Sequence, residues 1–185
     1  MRNLDTNLLQ SAQGAGGTSE TGPAMNNHTE AGIPSDTGAL TDPISIRFHA
    51  GHRRELAELT ALARRVEKAH PADIDTPQGL TQAVEALTTE LEAHMRAEED
   101  AIFAARRLGT VREAVVSTPH YRKDHDGQEA AMNRIAANTH VFCLSHNACA
   151  ISRNLYPRLG KLAEVFDEHK YLADGVLFRR LATQA

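Results

Sequence analysis

Cysteine is scarce in this 185-residue chain, occurring only as Cys143 and Cys149. Two thiols in a chain with no export signal are expected to stay reduced, which excludes a disulfide framework and a thiolate zinc site. Long apolar runs are missing too. None approaches the roughly 20 residues that span a bilayer, and no basic stretch leads into an apolar one at the N-terminus. A membrane partner is therefore excluded and a cytoplasmic location expected. Charge of one sign is not in excess, since 20 Lys and Arg face 24 Asp and Glu for a net charge of −4. The basic residues are scattered along helical patterns, so the footprint of a nucleic-acid binder is absent. Metal or redox chemistry, if present, has to come from imidazoles and carboxylates. Histidine is plentiful, with ten residues, and their positions carry the reading.

Residues 1–41 are dense in Gly, Ser, Thr, Asn and Pro, as in Gly14-Ala15-Gly16-Gly17-Thr18-Ser19. With no sustained apolar periodicity this stretch is expected to be a disordered tail. Residues 42–185, with a chain-wide hydrophobic content of 41%, suffice for one domain with a core. Asp42-Pro43 has the form of a helix start, an acceptor for free amides followed by a residue suited to the first turn.

Four helical stripes follow, with inward positions spaced by three and four residues. The first, over about 44–69, carries His49, His52, Leu56, Leu59, Ala63, Val66 and His70. The second starts at Thr76-Pro77 and carries Leu80, Val84, Leu87, Leu91, His94 and Glu98. After Gly109 the third carries Val111, Val115, Arg122, His125, Glu129 and Met132, with Pro119 expected to bend or restart it. The fourth carries Leu155, Leu159, Leu162, Phe166, His169, Ala173 and Val176, with Pro157 in its first turn or at a kink. The predicted fold is all-α, an antiparallel four-helix bundle with a histidine inside every helix.

One core histidine is usually a hydrogen-bonded structural residue. Four of them around a buried Glu, with no buried cation, would leave costly unsatisfied groups unless something common satisfies them, and a metal pair does so. Register supports a shared level, because antiparallel helices rise about 1.5 Å per residue. A first turn near Asp73 sets His94 opposite residue 52, leaving His52 level and His49 one turn away. Folding at Gly109 sets His94 opposite residue 124, beside His125. The third and fourth helices fit less well: a turn near Cys143 makes His169 level with His125 only if the last helix overhangs. His70 lies some 31 Å along its helix from His49 and reads as a helix-end residue. His94-x-x-x-Glu98 puts an imidazole and a carboxylate on one face. His169-x-x-x-x-Asp174 does not, unless a π-type turn realigns residues five apart; otherwise Asp174 faces solvent.

Taken together, His94-x-x-x-Glu98, His169-x-x-x-x-Asp174 and one histidine from each other helix resemble the hemerythrin ligand pattern. Over about residues 44–182 the chain is similar to the iron–sulfur cluster repair di-iron proteins, in Phe48-His49-Ala50-Gly51-His52-Arg53, Val66-Glu67-Lys68-Ala69-His70, His94-Met95-Arg96-Ala97-Glu98-Glu99 and His125-Asp126. The resemblance implies a bundle holding two iron ions, oxo- or hydroxo-bridged, with ligands His49, His94, Glu98, His125, His169 and Asp174. Nitric oxide or dioxygen would be the small ligand, and damaged iron–sulfur proteins the targets of repair under nitrosative or oxidative stress. Three departures stand out: the N-terminal cysteine domain usual in that family is replaced by a Cys-free stretch, Ala173 stands where those proteins usually have Glu, and the third helix lacks the second histidine of true hemerythrins. The alternatives are a gas-binding, buffering or sensing module without repair activity, and a metal-free scaffold.

Overall fold

The computed structural model describes residues 33–71 and 76–184, without the side chains of residues 106 and 111–114. The first helix, α1, follows a 3-10 turn at Gly38–Leu40 and runs without a break through Thr41–Pro43, a π-helical stretch Ile44–His49, and Ala50–Ala69. Helix α2 comprises Leu80–Ala97, the π-helical Glu98–Phe103 and Ala104–Leu108. Helix α3 is Val111–Asn138. Helix α4 comprises Ala150–Lys170, the π-helical Tyr171–Leu177 and Phe178–Gln184. These pack as the predicted four-helix bundle, with no strand among the described residues, and none of the helices is long and apolar enough to cross a membrane.

Boundaries moved where local chemistry outweighed the expected signals. The expected tail lies outside the described residues over 1–32. From Ile33 on, however, the chain packs on the bundle, with Leu40 only 1% exposed. Arg180 donates to the Pro34 carbonyl and Gln184 Nε2 to Thr37 Oγ1 at 2.9 Å. The start of α2 falls at Leu80 and not at Thr76-Pro77, because Gly79 takes φ 79° in the left-handed region open to glycine. Glu67 at the end of α1 then accepts from the Thr81 hydroxyl at 2.5 Å and its amide at 3.4 Å, which satisfies the first turn from a neighbouring helix.

Pro119 does not restart α3; the helix is continuous through it. Proline cannot donate to the Val115 carbonyl four residues back. The Thr118 hydroxyl does so instead, at 2.9 Å. Pro157 lies inside α4, beyond its first turn; the helix starts at Ala150, capped by Cys149.

Two apolar clusters hold the bundle. One unites Leu56, Leu59, Leu87, Leu91, Met132, Leu159 and Phe166 with their neighbours. The other gathers Ile44, Phe48, Phe103, Tyr121, Leu177 and Phe178. Along α1, α3 and α4 the inward histidine falls between the residues of one cluster and those of the other, so the polar layer has hydrocarbon on both sides. Leu59 is 0% exposed in the larger cluster. Leu59→Ala should lower the free energy of unfolding by about 2–5 kcal/mol, measured by urea titration of the metal-free chain, and a loss well below that range would show that this layer is loosely packed.

Candidate metal centre

All three π-helical stretches sit at the histidine layer. His49 closes the first, Glu98 opens the second and Asp174 lies in the third. The wider π turn redirects side chains and leaves carbonyls without their usual donor. The carbonyl of Ala97, just before the second stretch, accepts the Tyr121 hydroxyl at 3.0 Å. Tyr121 is thereby committed to the backbone, and Glu129 pairs with Lys170. Neither residue flanking His125 at four positions adds a donor to the layer.

His49, His94, Glu98, His125 and His169 are all buried, at 2% exposure or less. Glu98 Oε2 lies 3.1 Å from His49 Nε2 and 3.6 Å from Nε2 of both His94 and His169. The donor atoms form two groups, His49–Glu98–His169 and His94–Glu98–His125, with every pair inside a group within 4.8 Å. Glu98 is common to both. The third–fourth helix mismatch is resolved as an overhang: the His125 and His169 rings are 5.4 Å apart, although His125 lies nearer the end of α3 than His169 lies to the start of α4. The intervening connection is asymmetric, with His140, Val141 and Phe142 all at positive φ.

Electrostatics favour neutral imidazoles around an ionised carboxylate. Burial opposes the Glu98 charge, yet the imidazoles of His169 and His49, with His94 nearby, hold its carboxyl well below the usual range. Burial pushes His94 down to about 4, helped by His125 and His169 against the pull of Glu98. His169 is lowered mainly by burial too. Such neutral nitrogens keep a lone pair for a cation.

The strongest sign of a missing partner is the set of orphaned atoms. His94 Nε2, His125 Nε2, His169 Nε2 and Glu98 Oε1 are buried with no hydrogen-bond partner. Each unsatisfied buried polar group costs on the order of 1–3 kcal/mol, and the four converge on one place. A cation pair satisfies them together, so the donor set fits two metal ions.

The hemerythrin HHE cation binding domain matches residues 46–181. The chain belongs to the hemerythrin family. The Iron-sulfur cluster repair protein YtfE of Escherichia coli O157:H7 is 30% identical to it over 141 residues, which cover 76% of this chain and 64% of that protein. Proteins of the same name from Salmonella paratyphi B and Salmonella newport match with the same identity and coverage. The chain thus spans less than two thirds of the length of these curated relatives.

Within this hemerythrin bundle Asp174, expected among the ligands, lies against His125 and outside the two donor groups. The π turn does bring it inward, as the five-residue spacing requires, but onto the outer side of His125: Asp174 Oδ1 is 2.9 Å from His125 Nδ1. Arg122 donates to the Asp174 carbonyl at 2.8 Å. Its neighbour Ala173 is fully buried and packs in the apolar cluster. The one carboxylate among the converging donors is therefore Glu98.

Two residues acquire roles that spacing alone did not reveal. Glu99 accepts from His49 Nδ1 at 2.8 Å while Arg53 donates to it at 3.0 and 3.2 Å, and Asp124 lies 3.4 Å from His94 Nδ1. Both carboxylates are next in sequence to a site residue, and an acidic neighbour was the available signal. His52, level with the site as register predicts, is 1% exposed, and burial beside His169 and His49 pushes it to about 3. It stands outside both donor groups. His70 lies at the C-terminal end of α1, as expected of a helix-end residue.

Proposed function

We propose that the chain holds two iron ions, one between His49, His169 and Glu98 and the other between His94, His125 and Glu98, with Glu98 as the bridge. The observation that supports this reading above all is the convergence of orphaned imidazole nitrogens on one doubly shared, buried carboxylate. Imidazole and carboxylate donors suit iron or manganese, and the absence of thiolate among them disfavours copper(I) and structural zinc. An iron pair held there would supply electron exchange with a diatomic ligand and a coordination position for it.

The protein's own part is orientation and exclusion of water. Glu99, Asp124 and Asp174 hold the outer nitrogens of three histidines, which fixes the tautomer and turns each inner lone pair toward the centre. Phe103, Phe48 and Phe178 stack on His49, His169 and His125 at ring separations of 5.7, 5.5 and 6.2 Å. Leu56, Leu91, Leu162 and Phe166 close the other side. Two histidines and a shared carboxylate per ion leave room for nitric oxide or dioxygen.

The biological reading is support of iron–sulfur centre repair under nitrosative or oxidative stress, in the cytoplasm, with damaged iron–sulfur proteins as partners. It rests on the similarity to proteins named for that repair. A second reading is gas binding, buffering or sensing without repair. Incubation with a nitrosylated iron–sulfur enzyme separates the two: recovery of that enzyme's activity supports repair, while a nitric oxide adduct without recovery supports the module. For the metal itself, the purified chain should contain about two iron per molecule and an oxo-bridged ferric absorption. His49→Ala should lower both, whereas His70→Ala should change neither. A wild-type chain free of iron after iron-replete expression would end this reading.

A further inference from the structure

Three of the four converging histidines hand their outer nitrogen to a carboxylate: His49 to Glu99 at 2.8 Å, His94 to Asp124 at 3.4 Å and His125 to Asp174 at 2.9 Å. His169 does not. Its Nδ1 is buried with no hydrogen-bond partner. Another buried ring nitrogen shares that condition, Nε2 of His52. The two rings are neighbours, with centroids 5.6 Å apart and planes inclined by 41°. They share one aromatic enclosure: Phe48 stacks on His169 at 5.5 Å and lies 6.4 Å from His52, and Phe166 lies 6.4 and 6.3 Å from the two.

We propose that His52 is the positioning residue for His169, its Nε2 accepting the Nδ1–H of His169 in the place that Glu99, Asp124 and Asp174 fill for the other three histidines. This rests on the two-ion reading above. Two imidazoles joined by an N–H···N hydrogen bond have centroids ~5 Å apart, so the observed separation closes with a small rotation of either ring. The bond would satisfy both orphaned nitrogens at once, and among the described residues no carboxylate is hydrogen-bonded to either. It also fixes the His169 tautomer with the proton outside and the lone pair toward Glu98.

The choice of partner has a consequence. A carboxylate behind a ligating histidine raises its basicity, and a neutral imidazole does so less. His169 is then the weakest donor of the four, and the ion it shares with His49 is the more weakly held. The two ions would differ in affinity although each has two histidines and the same carboxylate.

The test uses the full chain stripped of metal and titrated with Co(II), whose visible spectrum reports each binding step, for wild type, His52→Leu and His52→Gln. Leucine matches the bulk of the ring and removes a buried orphan, so the fold should persist, as helical circular dichroism would verify. Wild type should bind two ions in two steps. His52→Leu should weaken the weaker step by about 10- to 100-fold and leave the tighter one unchanged. His52→Gln, whose amide oxygen can accept an N–H, should recover most of the loss. Equal affinities in wild type and His52→Leu would overturn the assignment. So would a glutamine variant as weak as leucine, which would make the effect one of packing or of direct ligation by His52. A wild-type chain taking up no Co(II) would overturn the two-ion reading itself, and this inference with it.

Discussion

Glu98→Gln should empty both metal positions in a single substitution. Glu98 is the only residue common to the two donor groups, and its side chain is fully buried among their imidazoles. Glutamine keeps the volume and one acceptor oxygen but removes the negative charge, which is the only formal charge among the converging donors. Each ion would retain two neutral imidazoles, and both would lose the anion that offsets their mutual repulsion. Replacing a group behind a ligand typically costs 10–100-fold in metal affinity, so loss of this shared inner anion should exceed ~100-fold for each ion. Iron content by elemental analysis should fall from about two per chain to near zero, with the oxo-bridged absorption gone. His94→Ala and His169→Ala each touch only one group, so each should leave the other partly occupied. Two iron atoms retained in Glu98→Gln would show that the ions are held elsewhere or bridged by another group.

The metal-free chain should be markedly acid-sensitive between pH 6.5 and 4. An imidazole in the unfolded chain takes up its proton near pH 6.5. In the folded chain burial pushes His94 to about 4 and His52 to about 3, and His169 moves in the same direction. Through that window the unfolded state binds more protons than the folded one, so stability falls as pH falls. Above pH 6.5 these groups are neutral in both states and their contribution is fully present. Below pH 4 for His94, and 3 for His52, the loss levels off. Glu98, held well below the ordinary carboxylate range, adds a loss of the same sign only beneath about pH 4.3. Summed, the loss from pH 7.5 to pH 5 should be on the order of a few kcal/mol. A urea midpoint of the metal-free chain that is the same at both pH values would refute it. Metal ions bind the deprotonated ligands of the folded form, so loading should raise the midpoint most at neutral pH.

Much of this centre was open to reading from spacing. Helical periodicity fixed which face of each helix turns inward, and with it the burial of His49, His94, His125 and His169, because a side chain every three or four residues has one direction to point. His94 and Glu98 shared a face by the same rule. His70 could be set apart by distance alone. The π stretch near Asp174 was also foreseeable, since five-residue spacing has few other ways to turn inward.

What spacing could not supply was the endpoint of short or flexible side chains. Asp174 turns inward and still stops at the outer nitrogen of His125, while its neighbour Ala173 is fully buried. Glu99 and Asp124 take up outer nitrogens across helices some 30 to 50 positions apart in sequence, pairings that no local pattern encodes. The level match of His125 and His169 depended on the connection between α3 and α4, which contains three residues at positive φ.

The sequence by itself determined the four helices, the inward histidines and a glutamate on the same face as His94, because those follow from the 3.6-residue repeat and the cost of burying polar groups. Only the tertiary structure decided the division of the donors into two groups around Glu98, the contact of Asp174 with the outer nitrogen of His125, and the placing of the His52 ring beside that of His169. These depend on helix register and side-chain reach, which are settled to within an ångström only when all four helices pack against one another.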